Sequence, residues 1–105
     1  MKKSLTMICL IGLGTVATAA VAEEPVPGKD LFKKSCAMCH PNGGNIIKKD
    51  KTLKEDILKK NGLNTREDIV NFMRKPGSGM TAFDEAKLPQ KDAEAIAEYI
   101  MATFK

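Results

Sequence analysis

Five consecutive residues constrain this chain more than any others: Cys36-Ala37-Met38-Cys39-His40. Two thiols three residues apart, followed at once by an imidazole, form the c-type haem attachment signature. The reason is steric. On one helical turn, Cys36 and Cys39 reach the two vinyl groups of a single porphyrin and form thioethers, and His40 is placed beneath the iron as proximal ligand. A Cys-x-x-Cys can also be a redox dithiol or half of a zinc site. A structural zinc wants four N or S ligands, and after His40 the sequence holds no further Cys or His. A thioredoxin-like dithiol wants a βαβ setting, and no stretch here alternates like a strand. The motif therefore implies one covalent haem c and its iron.

At 105 residues the chain is one domain at most. Lys2 and Lys3 make a basic start, Leu5 to Val21 is mostly apolar and small, and Ala20-Val21-Ala22 is a small-residue cleavage site. Residues 1–22 are expected to be a cleaved secretory signal, and residues 23–105 a monohaem domain. The apolar stretch is short and broken by Gly12 and Gly14, so no stable membrane insertion is expected after cleavage. Cys9 follows Met7-Ile8 near the start of that stretch, where a lipidated cysteine would not sit. Proteins with this motif are known as a class to receive their haem outside the cytoplasmic membrane, with which export agrees; a periplasmic location is expected.

The formal charge of +4 falls to +2 when Lys2 and Lys3 are removed. Two haem propionates bring it near zero, so nucleic acid is not indicated as a partner. With one Tyr, four Phe and no Trp, the core is marginal for a chain of this size, and such chains often need a staple. A buried, covalently held macrocycle supplies both apolar surface and a cross-link.

Pro25 and Pro27 keep the lead-in extended. A first helix is expected from about Gly28 to Cys39, ended by the turn residues Pro41-Asn42-Gly43-Gly44-Asn45. Thr52-Leu53-Lys54-Glu55 reads as a capping box for a second helix, which stops near Asn61-Gly62. A third, with Asn64 as cap, carries Ile69, Val70, Phe72 and Met73 and halts before Pro76. The last runs from about Gln90 to Thr103, with Ala93, Ile96, Ala97, Ile100, Met101 and Phe104 at three- and four-residue steps. The fold class is all-α, four to five short helices around one cofactor.

Haem iron in an electron carrier is usually six-coordinate, and Met opposite His is one common pairing. Met38 lies between the haem cysteines, on the wrong side of the ring. Met73 and Met101 fall on apolar helix faces and read as core. Met80 follows Pro76-Gly77-Ser78-Gly79, outside any helical pattern, and is the candidate second axial ligand. No second histidine exists, which excludes bis-His ligation within the chain. Ile46, Ile47, Phe72 and Phe83 are candidate pocket residues that exclude water. With no distal His or obvious distal acid, Arg74 is the one nearby cationic candidate for an open sixth site, its alternative role being to pair with a propionate.

In these motifs the chain resembles a class I cytochrome c, and most of all the cytochrome c6 branch, the small soluble carriers of photosynthetic electron transport. The resemblance spans residues 28–105. It rests on Gly28-x-x-x-Phe32, the haem motif, Gly43-Gly44-Asn45-Ile46-Ile47, Lys51-Thr52-Leu53-Lys54, Met80-x-Ala82-Phe83 and Ile96-Ala97-Glu98-Tyr99-Ile100. It implies that the first and last helices cross around Gly28, Phe32 and Tyr99. Two departures stand out. Thr81 replaces the family's usual proline after the ligand methionine, and Phe72 stands where photosynthetic members tend to place a glutamine. They imply a non-photosynthetic bacterial relative of lower potential.

The expected function is soluble, one-electron transport by a monomer, between transient redox partners and without catalysis. Two rivals are weighed against it: a gas sensor or peroxidase-like protein with an open sixth site, and a haem subunit of a larger oxidoreductase. Lys33, Lys34, Lys48, Lys49, Lys51, Lys59 and Lys60 read as solvating charge, or as a ring that steers acidic partners.

Overall fold

Glycine at position 28 decides how the two ends of the domain meet. A Cβ there would run into the backbone carbonyl of Ala95 and lie 3.0 Å from Cβ of Tyr99. Only a residue without a side chain lets the two helices approach so closely. In the computed structural model, which describes residues 27–105 together with Gly12, Gly14 and Thr15, these are helices α1 (Gly28–Ser35) and α4 (Gln90–Thr103). The expected signal at 1–22 lies, those three positions apart, outside the described residues.

Between them lie a 3-10 turn at Pro41–Gly43, α2 (Glu55–Lys60) and α3 (Arg66–Arg74). Among the described residues there is no strand, and no helix is long and apolar enough to cross a membrane. The architecture is all-α, as expected.

The core follows the helical periods. Ala93, Ile96, Ala97 and Ile100 make the inner stripe of α4, all at most 3 % exposed. Ile69, Val70 and Met73 of α3, Phe32 of α1, Leu58 of α2 and Leu88 join them in one cluster. At the crossing, Phe32 meets Tyr99 and Phe104 at ring-centroid distances of 5.4 and 5.5 Å, and Tyr99 meets Phe104 edge-on at 5.9 Å. Burying a side chain of this size contributes about 1.5–3 kcal/mol. Such ring pairs add about 0.5–1.5 kcal/mol each.

Four details differ from the sequence reading. Helix α1 stops at Ser35 rather than Cys39, because the Phe32 carbonyl accepts from both Cys36 N–H (2.8 Å) and Ala37 N–H (3.0 Å) and the chain turns out of helix there. The Thr52 capping box does not form. Helix α2 begins at Glu55, whose N–H donates to the Phe104 carbonyl at 2.8 Å. Helix α3 is capped by Thr65 rather than Asn64: Thr65 Oγ1 accepts from Asp68 N–H at 3.1 Å, and the Asp68 carboxylate accepts from Asn64 and Thr65 N–H, both at 3.0 Å. Finally, Met101 is 39 % exposed. The stripe passes from Ile100 to Phe104 and leaves it outside the core.

Candidate haem site

The chain leaves α1 and doubles back on itself through the haem motif. Cys39 N–H and His40 N–H both donate to the Cys36 carbonyl, at 3.2 and 2.9 Å. The motif thus occupies a tight turn after α1, not the helix itself. Asn42 (φ 54°) and Gly43 (φ 78°) then take left-handed conformations. Gly43 needs its missing side chain twice over, since a Cβ there would also press into the Phe104 ring, 2.7 Å from Cγ. Its carbonyl accepts from Leu53 N–H at 2.7 Å.

This turn borders a cavity of about 560 Å³ lined by Cys36, Cys39, His40 and Met80. That volume suits a small-molecule or cofactor site, which typically spans about 300–1,000 Å³. Phe32, Leu58, Ile69, Met73, Leu88 and Ile100 reach it from the core. One cavity therefore receives both thiols, the one imidazole, a thioether and an apolar wall.

His40 is oriented for ligation. Its Nδ1 lies 2.7 Å from the Gly44 carbonyl, so the ring donates from that nitrogen and leaves the Nε2 lone pair free for a metal. Metal-binding histidines are commonly held this way. The half-buried Cys36 thiol is pushed up to about 11, first by burial and then by the neighbouring Cys39 charge. Both cysteines also follow the C-terminal end of α1, where the helix dipole disfavours a thiolate. Redox-active Cys-x-x-Cys pairs sit in the opposite setting, at helix N-termini with lowered values. Among the described residues no three His, Cys, Asp or Glu side chains converge as a metal cluster. The donor set suits haem c better than a structural zinc or a redox dithiol.

Of the expected pocket residues, Ile47, Phe72 and Phe83 line the cavity and Ile46 does not. Ile46 is 56 % exposed, and its N–H donates to the Cys39 carbonyl at 3.0 Å. Met73 serves both the core and the cavity wall. Arg74 is not on the wall at all. Its Nη1 donates to the Leu88 and Phe83 carbonyls at 2.6 and 3.0 Å, and its Nη2 to Gln90 Oε1 at 3.2 Å.

One organising residue escaped the sequence reading. Asn45 Oδ1 accepts from Ile47 and Lys48 N–H at 3.0 and 2.8 Å, and its Nδ2 donates to the Lys51 carbonyl at 3.0 Å. It ties the loop after the motif into a ring. Asn in a glycine-rich turn was the available signal, since its side chain readily caps local backbone.

Comparison with known proteins shows the family. Residues 23–100 match a family model described as cytochrome c oxidase, cbb3-type, subunit III. Cytochrome c6 from Gracilaria tenuistipitata var. liui is 36 % identical over 95 residues, covering 90 % of this chain and 86 % of the relative. Cytochrome c6 from Porphyra purpurea is 35 % identical over 108 residues, covering 97 % and 94 %. Among solved structures, outer membrane cytochrome F (OmcF) from Geobacter sulfurreducens aligns with a TM-score of 0.73 at 45 % identity, over 74 % of this chain and 99 % of that one. Cytochrome c6C from Synechococcus sp. PCC 7002 aligns with a TM-score of 0.68 at 34 % identity, over 73 % and 93 %. The chain belongs to the class I cytochrome c family, in its cytochrome c6-like branch. It is a small haem c protein of electron transport.

Proposed function

We propose that the chain is a soluble periplasmic one-electron carrier in which Cys36 and Cys39 bind the haem covalently and His40 and Met80 are the axial iron ligands. The observation that carries this reading is the convergence of those four side chains on one cavity. Haem c supplies the Fe(II)/Fe(III) couple. Cys36 and Cys39 keep the cofactor from leaving during turnover. His40, held at Nδ1 by Gly44, keeps one ring orientation in both oxidation states, which limits reorganisation. Phe32, Ile69, Met73 and Leu88 exclude water from the cavity interior, and solvent exclusion is one lever on potential. No bond of a substrate is made or broken, so the protein is a carrier rather than an enzyme. Residues 1–22 direct export and are cleaved, leaving a monomeric domain over 23–105.

Lys34, Lys48 and Lys51 line the same cavity. Their ammonium groups steer transient, acidic redox partners, with association slowing as salt rises. The family description names an oxidase subunit, but the two cytochrome c6 relatives are covered over 86 % and 94 % of their own length, which favours a free-standing carrier. Thr81 and Phe72 support a non-photosynthetic role at lower potential; a potentiometric titration matching photosynthetic carriers would refute that part.

The deciding experiment is an optical spectrum of the holoprotein, oxidised and reduced, with and without carbon monoxide. A low-spin spectrum, a weak far-red methionine–iron band when oxidised, and indifference to carbon monoxide are expected. Met80→Ala is expected to abolish the band and open the iron to carbon monoxide. A high-spin parent that binds carbon monoxide readily would replace the carrier with a sensor or peroxidase-like protein.

A further inference from the structure

The segment between α3 and α4 carries Met80 and is held by very little. Among the described residues, the backbone from Pro76 to Ala82 makes no hydrogen bond to the rest of the protein. Its one polar tie is exposed, Lys48 Nζ donating to Ser78 Oγ at 3.2 Å. At Phe83 the situation changes abruptly. The Phe83 N–H donates to the Met73 carbonyl at 2.9 Å, and the Phe83 carbonyl accepts from Arg74 Nη1 at 3.0 Å. Both polar groups of one residue are thus gripped by two consecutive residues at the end of α3. The result is a loop, 75–83, closed at its neck, with Met80 three residues from the closure.

The same Nη1 reaches the carbonyl of buried Leu88 at 2.6 Å, and Nη2 reaches Gln90 Oε1 at 3.2 Å. Gln90 Nε2 in turn donates to Glu94 Oε1 at 3.1 Å, within α4. One guanidinium therefore fastens the end of α3 to both ends of the 83–88 stretch and to the start of α4. Among the described residues it makes no ion pair; its three hydrogen bonds all go to neutral acceptors. A planar fork can serve several acceptors held at fixed angles, and a lysine ammonium cannot reproduce that arrangement.

We infer that Arg74 is the positioning residue for Met80: by closing the neck of the 75–83 loop, its guanidinium sets how tightly the sixth ligand is kept on the iron. This rests on the proposal that Met80 is that ligand. The physical link is conformational. An exogenous ligand binds only the fraction of molecules in which Met80 has swung away, so its apparent affinity reports the open population directly. Hydrogen bonds from a charged donor are among the stronger ties in a fold. Their loss at the neck raises that open fraction without removing any side chain that lines the cavity.

The test is imidazole binding to the oxidised holoprotein, followed together with the far-red methionine–iron band and the denaturation midpoint. Parent, Arg74→Gln, Arg74→Lys and Thr65→Ala proteins are compared. Thr65→Ala removes the cap at the other end of α3 and serves as the control for general loss of stability. Arg74→Gln is expected to bind imidazole about ten-fold more tightly or better than the parent, with Arg74→Lys between them and Thr65→Ala unchanged. Equal affinities in parent, Arg74→Gln and Arg74→Lys would overturn the inference, as would an equal gain in Thr65→Ala. If Arg74→Gln does not fold, Arg74→Lys decides alone, since it keeps the charge and loses the fork. A parent without the far-red band, spectrally unmoved by Met80→Ala, would instead overturn the ligand assignment and this inference with it.

Discussion

The α1–α4 crossing and the Met80 loop border the same cavity, yet they are held by opposite means. Phe32 and Ile100 of the crossing are 3 % exposed, three aromatic rings stack within 5.9 Å of one another, and Gly28 leaves no room for a methyl group. Around Gly77 of the loop, by contrast, a Cβ would find nothing within 4 Å. What closes the loop is a hydrogen-bonded neck at Phe83, whose side chain is only partly buried against the core. The difference separates two tasks. Dense packing makes the crossing the source of stability, because truncating a side chain there opens a void that its neighbours cannot fill. Sparse packing leaves the loop at the low-stability end of the molecule, from which moving functional segments are drawn.

Substitutions can break this division or sharpen it. Phe32→Ala is expected to cost the most, about 3–5 kcal/mol in chemical denaturation of the holoprotein. A loss under about 1 kcal/mol would show that the crossing is not the anchor. Gly28→Ala comes next, at about 1–3 kcal/mol, because the new methyl group meets the backbone of Ala95 rather than a flexible side chain. The same exchange in the loop should have the opposite sign. Gly77→Ala meets no neighbour and lies outside the left-handed region, so it is expected to stabilise by about 0.4–1 kcal/mol through the unfolded chain. Finding the same sign at both glycines would erase the contrast.

Thr65→Ala, at the start of α3, is expected to cost about 1 kcal/mol through the lost cap. The accompanying carboxylate gives the smallest effect. The N–H groups of Asn64 and then Thr65 hold the Asp68 carboxyl below its usual range. A group depressed in the folded state contributes stability that is complete above its unfolded value, about 4, and is lost as pH falls through its folded value. Asp68→Asn is therefore expected to flatten the acid limb of a stability–pH profile and leave neutral pH little changed in slope. An unaltered acid limb would mean the carboxylate does no capping in solution.

Much of this was legible in the sequence, and what was not turned on hydrogen-bond partners rather than on apolar pattern. Helix α4 runs over the residues its spacing predicts, because Ala93, Ile96, Ala97 and Ile100 repeat on one face and nothing competes with that period. The haem motif was equally plain. The Gly28, Phe32, Tyr99 crossing came from the family resemblance and not from any period in the residues. The start of α2 was not. Thr52-x-x-Glu55 has the right pattern for a capping box, but the orphan N–H of Glu55 finds the carbonyl of Phe104 instead, a partner no local window contains. The end of α1 shifted for a local reason, since the N–H groups of Cys36 and Ala37 both closed on the Phe32 carbonyl. Two adjacent isoleucines looked equivalent, yet the ring made by Asn45 turns Ile47 onto the cavity wall and leaves Ile46 off it. Arg74 was the largest surprise. Its acceptors are mainly main-chain carbonyls, which every residue carries, so no residue type along the chain betrays them.

The crossing of α1 and α4 also sets an order of events. Its halves are separated by the haem motif, α2 and α3, so chain closure must bridge most of the domain before Phe32 can meet Tyr99. Pairings of such long sequence separation form slowly, after the entropy of a large loop has been given up. During synthesis Cys36, Cys39 and His40 precede the residues that will seal them in. Until α4 docks, the two thiols lie on an open chain.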